Sequence, residues 1–163
     1  VTWMDTVNVT VTGNTIQKTG GSPSTWDAGA ASTRALQSGD GYVQATVDSL
    51  SAYRMFGLSN GDSSVLHGDI DFAAYLAGPT LMVYERGLNK GTFGALAVGD
   101  VVKVSIESGV VKYYKNGVVF YISSAPAKYP LLLDTAINSS GGQVYNAFIC
   151  GANIANSPPR PHK

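Results

Sequence analysis

Residues 99–123, GDVVKVSIESGVVKYYKNGVVFYIS, constrain the fold more than any other part of the chain, because they read as two consecutive β-hairpins. Three runs rich in Val, Ile and Tyr (101–106, 110–115 and 118–122) are separated by Ser108-Gly109 and Asn116-Gly117. Both central residues of a type I′ turn need positive φ, which Asn tolerates and Gly adopts freely, so Asn-Gly between such runs marks a tight hairpin. A chain containing this stretch is expected to be all-β.

The remaining sequence repeats the pattern. Val7, Val9 and Val11 alternate with Asn8, Thr10 and Thr12, as in a first strand with one buried and one polar face. Further strands are expected at 31–36, 42–47, 53–58, 70–76, 81–85, 131–137 and 144–150, with 20–25 as a loop. Turn signals fall between them, including Ser38-Gly39-Asp40-Gly41, Asn60-Gly61-Asp62, Gly78-Pro79 and Ser140-Gly141-Gly142. No helical i, i+3, i+4 pattern persists without a Gly break. Many short antiparallel strands at this spacing predict a two-sheet antiparallel β-sandwich of jelly-roll type. At 163 residues the chain fits one domain, expected over 1–151, with 152–163 as a Pro-rich tail that contains Ser157-Pro158-Pro159-Arg160-Pro161.

The order of these elements carries a resemblance. A Gly-Asp before a strand, a tight turn, a Tyr-rich strand ending in Asn-Gly, and a strand opening with Pro130-Leu131 resemble the C-terminal half of SPRY-type and concanavalin A-like lectin sandwiches, over roughly 99–133. The resemblance implies a concanavalin A-like jelly roll and, as ligand class, carbohydrate. Its SPRY side implies instead a short peptide gripped by loops that carry Trp26, Tyr53 and Arg54.

Charge argues against several partner classes. Eleven basic residues balance eleven acidic ones, so nothing here attracts nucleic acid broadly. Charged residues make up only 13%, well below the usual share of about a quarter, and Gly, Ser, Thr and Asn fill the difference. That neutral, hydrogen-bonding composition suits an extracellular or cell-surface module covalently linked to other domains, as does a chain beginning at Val1. No run approaches the roughly 20 apolar residues of a transmembrane helix, so membrane insertion is not expected. The single cysteine, Cys150, lies in an apolar strand and reads as a small buried hydrophobe.

Catalytic patterns were sought and few emerge. The chain holds two glutamates, Glu85 and Glu107, on different strands, which does not match the paired acids of a strand-borne glycosidase site. Asp69 and Asp71 share a face if 70–76 is a strand, and His67 extends that row, yet the bland reading is a polar strand entry. Gly-x-Ser-x-Gly is missing. No cofactor is indicated; calcium held between loops through Asp40 or Asp62 is possible but unsigned in the sequence. The chain therefore reads as noncatalytic.

Binding residues are easier to nominate. Sugar recognition pairs flat rings with groups that fix hydroxyls, and Trp26-Asp27 supplies both kinds after the 19–25 loop. Trp26 is either a ligand contact or a plug on the edge of the core, whereas Trp3 reads as an anchor. Arg54 and Glu85 each interrupt an apolar strand, and a charge there must be solvated or paired. Either they pair with each other or they line a polar groove to which Tyr75, Tyr84, Tyr113 and Tyr114 add rings. The expected ligand site is thus Trp26, Asp27, Tyr53, Arg54, Asp71, Tyr84, Glu85 and Tyr113.

Overall fold

A computed structural model describes residues 1–61 and 66–156. Asp62 and the end of the tail, 157–163, fall outside the described residues.

The two hairpins form as the sequence requires. Strands β10 (Val101–Glu107), β11 (Val110–Lys115) and β12 (Val118–Ile122) pair in order. Ser108 and Gly109 take φ of 48° and 81°, and Asn116 and Gly117 take 50° and 81°, so both turns have positive φ at both central positions. The turns fix the register. Glu107 faces Val110 and Lys115 faces Val118.

This hairpin pair is one side of a seven-stranded sheet. It continues through β5 (Gly41–Thr46) and β14 (Gln143–Gly151) to β3 (Thr15–Lys18) and β2 (Val9–Thr12). The other sheet runs β1 (Trp3–Val7), β4 (Ser24–Leu36), β13 (Leu131–Ser139), β6 (Tyr53–Ser59), β7 (Phe72–Ala77), β8 (Thr80–Glu85) and β9 (Leu88–Ala95). Strand β15 (Ile154–Asn156) also pairs with β4, so the sandwich extends beyond 151 to include part of the expected tail. All pairings are antiparallel. The chain is the expected two-sheet β-sandwich jelly roll.

Between the sheets lies one continuous apolar core. Alternate residues supply it, as a pleated strand demands: Phe56 and Leu58 from β6, Val102, Val104 and Ile106 from β10, Leu131, Leu133 and Ile137 from β13. Each such side chain, fully buried, contributes about 1.5–3 kcal/mol of transfer free energy. Trp3 packs on this core while its indole N–H donates to the Gly13 carbonyl at 3.2 Å, which is the anchoring role expected of it.

Three local differences from the sequence reading have physical causes. The first expected strand is two strands, because Asn8 takes φ of 57° and carries the chain from one sheet to the other. Strand β4 begins at Ser24 rather than in the thirties. Its centre, Ala28-Gly29-Ala30-Ala31-Ser32, has no β-branched residue to advertise it, yet it is enclosed between β1 and β13. Glycine is required there, since a Cβ on Gly29 would stand 2.6 Å from the Thr135 carbonyl oxygen. Finally, His67–Asp69 forms a 3-10 turn and the strand begins at Phe72, so Asp69 and Asp71 are not on a strand face.

Gly57 tests this packing most sharply, because a Cβ there would lie 1.7 Å from the Phe72 carbonyl oxygen across the β6–β7 pair. We expect Gly57→Ala to cost at least about 2–3 kcal/mol, the upper range for overpacking. Gly68→Ala, with open space around its Cβ, stays within about 0.5 kcal/mol. Urea midpoints of the two variants check both values.

Candidate functional site

The pleat divides the residues nominated from sequence into two sets. Strand β6 sends Arg54, Phe56 and Leu58 inward and Tyr53 and Met55 outward, while β8 sends Leu81, Val83 and Glu85 inward and Met82 and Tyr84 outward. Arg54, Glu85 and Tyr113 are therefore buried inside the sandwich and are not groove residues.

Arg54 and Glu85 do not pair with each other either. Arg54, with 0% exposure, donates from Nη1 to the Ala52 carbonyl at 2.7 Å and from Nε to the Gln143 carbonyl at 3.1 Å. Its Nη2 donates to Asp48 Oδ1 at 3.1 Å and to the Ser49 carbonyl at 2.9 Å. Burial pulls the Arg54 pKa down and Asp48 opposes that shift. Glu85 accepts from the Tyr113 hydroxyl and from Ser123 Oγ, each at 2.9 Å, bridging the two sheets. Burial first, then the Glu85 carboxylate, raises the Tyr113 phenol well above its ordinary value of 10.0.

Asp27 is likewise structural. It forms an ion pair with Lys18, whose buried ammonium also donates to the Ser22, Thr25 and Asn138 carbonyls at 2.6–2.9 Å. The hydrogen bond from Lys18 and one from the Ser22 amide hold the Asp27 carboxyl below its usual 3.8. Asp71 accepts from the Asn60 amide at 3.0 Å and lies 3.4 Å from Arg86 Nε, pinning the link before β7.

Trp26, Tyr53 and Tyr84 gather around Tyr75, on the outer face of the sheet containing β6–β8. Trp26 contacts His67 (5.1 Å between ring centroids) and Tyr75 (5.6 Å), and Tyr75 contacts Tyr84 (5.3 Å) and Tyr53 (6.3 Å). The Trp26–Tyr75 and Tyr75–Tyr84 pairs meet edge-on and the other two are tilted, over Met55, Ile70, Ala73 and Ala136, a second small core against which Trp26 packs. Burial, then the neighbouring Tyr84 and Tyr53, pushes the Tyr75 phenol up to about 12.

The opposite outer face is open. There β5, β10 and β14 end around a concavity of about 350 Å³ lined by Asp40, Tyr42, Lys103, Ser105, Glu107 and Cys150. Gly41 and Gly151 also border it, but a Cβ on either would turn inward, to within 2.5 Å of the Leu36 side chain. Lys103, Ser105 and Glu107 of β10 face the concavity, since Val102, Val104 and Ile106 point to the core. Glu107 accepts from Ser105 Oγ at 2.6 Å and the Tyr114 hydroxyl at 2.7 Å, with Lys112 Nζ at 3.5 Å. The Ser105 bond, then that from Tyr114, lowers the Glu107 pKa below 4.5, so the carboxylate is ionised at neutral pH. The Cys150 thiol, then burial, raises the Tyr42 phenol above 10.0. Cys150 itself is half-buried rather than fully enclosed.

This mixture of ring, hydroxyl, ammonium and carboxylate in a concave site is what small polar ligands require, and its size lies within the usual range of about 300–1,000 Å³. No linear motif marks it. Its only sequence trace is the alternation Lys103-x-Ser105-x-Glu107 on an otherwise apolar strand. Among the described residues, no group of three or more His, Cys, Asp or Glu is placed to hold a metal ion.

No protein-family model matches the chain, and no curated protein matches it in sequence. Solved structures do share its architecture. A human SPRY domain superposes with a TM-score of 0.66 at 19% identity, covering 87% of this chain and 94% of that one. The carbohydrate recognition domain of Emp46p gives 0.64 at 11% identity, over 90% and 87%. The alginate lyase AlgAT5, of polysaccharide lyase family 7, gives 0.54 at 13% identity, over 92% and 84%. The fold is the concanavalin A-like jelly roll of SPRY and lectin domains.

Two measurements check the buried charges. Arg54→Ala leaves several carbonyls and Asp48 without their donor, and we expect it to cost about 3–5 kcal/mol in denaturant titration. Asp27 has a folded pKa below its unfolded one, so its stabilisation is complete above the unfolded value of 3.8 and is lost as pH falls through the folded value. In Asp27→Asn the fall in stability as pH drops below about 4 is shallower than in the parent.

Proposed function

We propose that the chain is a noncatalytic, lectin-like recognition module of a larger secreted or cell-surface protein, and that it binds carbohydrate in the concavity of β5, β10 and β14. The observation that carries this reading is the composition of that concavity: the Tyr42 ring beside Ser105, Glu107 and Asp40. Carboxylates and a hydroxyl accept hydrogen bonds from sugar hydroxyls, and the ring supplies an apolar wall. The likeness to a carbohydrate recognition domain supports the ligand class. The neutral, Gly- and Ser-rich composition supports the setting.

Two features support the absence of catalysis. Glu85 is sealed in the core, and Glu107 is already held by Ser105 and Tyr114, so no two glutamates stand across a common cleft.

The likeness to a human SPRY domain favours a second reading, a short peptide held at the same surface. A glycan array followed by calorimetry separates the two. The carbohydrate reading expects a coherent set of glycans to bind, with at least about a tenfold loss in Tyr42→Ala and retention in Trp26→Ala, whose ring closes the opposite face. Peptide binding without glycan binding would establish the second reading, and glycan binding lost only in Trp26→Ala would move the site to the aromatic face.

A further inference from the structure

We propose that Lys103 makes the concavity selective for oligosaccharides bearing one anionic group, a carboxylate or a sulfate, at the Lys103 end. This rests on the carbohydrate reading above and names its ligand class.

Lys103 Nζ lies 4.4 Å from the centroid of the Tyr114 ring and 5.1 Å from that of Tyr42. Rings attract a cation through their quadrupole and fix its position, but they carry no formal charge to cancel it. Among the described residues, no carboxylate forms an ion pair with Lys103. A lysine fixed in this way presents its donors to the concavity.

The other charges there are already engaged. Glu107 accepts from Ser105 and Tyr114 and has Lys112 at 3.5 Å, and Asp40 accepts from the Ser108 amide at 2.9 Å. The positive charge of Lys103 thus stands at one end of the site, apart from the hydrogen-bonded carboxylates of Glu107 and Asp40.

Spacing then sets the shape of the ligand. Lys103 and Glu107 are four residues apart on one face of β10, which puts their backbones about 13 Å apart. A ligand that spans the site meets an ammonium at one end and two carboxylates at the other. An oligosaccharide with a single acidic group matches that polarity, because its hydroxyls donate to Glu107 and Asp40 while its anion meets Lys103. A densely acidic peptide does not, since its second negative charge would face Glu107 and Asp40.

The test uses the whole chain on an array of neutral, uronate-bearing and sulfated glycans, then titrates the best acidic binder beside its uncharged counterpart, carboxyl-reduced or desulfated. We expect the acidic form to bind at least about tenfold more tightly, and raising salt from about 50 mM to about 500 mM to remove most of that advantage. Lys103→Gln should bind both forms equally, and Lys103→Arg should retain the preference, with thermal melts confirming that each is folded. The uronate and sulfate arms show which anion the site takes. Equal binding of charged and uncharged forms by the parent, or a preference that survives Lys103→Gln, would overturn the proposal and leave the carbohydrate reading intact. Silence across the array, or binding of an acidic peptide alone, would overturn both.

Discussion

In a two-sheet sandwich every second side chain of a central strand belongs to the shared core, and this period of two governs everything else in the molecule. The register is pinned by tight turns such as Asn116-Gly117 and by Gly57 against Phe72, where a one-residue slip would bring a Cβ into a carbonyl. With the register fixed, each polar residue is committed to an inner or an outer face. Lys103, Ser105 and Glu107 face out for the same reason that Val102, Val104 and Ile106 face in.

The charged residues on inner positions mark where the sandwich is tied at its ends. Arg54 gathers carbonyls from the link before β6 and the start of β14, Lys18 gathers those of the loop before β4 and of the start of β4, and Glu85 joins β8 to Tyr113 and Ser123. Each is a buried charge with a near-complete set of partners, the condition under which such burial is tolerated. These networks hold the ends of strands without contributing a surface. Of the two outer faces, one is closed by Trp26, Tyr75 and Tyr84 packed edge-on, and the other keeps an open concavity with a charged rim.

Much of this fold was legible in the sequence. Alternation and hairpin turns are local signals, and where Val, Ile and Tyr were dense they placed β10, β11 and β12 to within a residue. Strand β4 was legible only at its end, because Ala28 to Ser32 hold their place by close packing between neighbours and not by propensity. The candidate site was less legible. Arg54 and Glu85 stand out in sequence because they interrupt apolar strands, yet that same position places them inside, each with partners drawn from distant segments. Trp26 and Tyr84 do come together, but through the pairing of β4, β13, β6, β7 and β8, which no local pattern encodes. Tyr42, Lys103 and Cys150 become neighbours only through the order β10-β5-β14.

The account's central claim is that ligand is recognised on the β5–β10–β14 face. Its most direct test is a map of backbone amide shifts by NMR during titration with a glycan that the array identifies. The account predicts shifts concentrated at 40–44, 103–107 and 149–151, with the Trp26, Tyr75 and Tyr84 amides unmoved. Shifts concentrated around Trp26, Tyr53 and Tyr84, with the Lys103 strand silent, would contradict it.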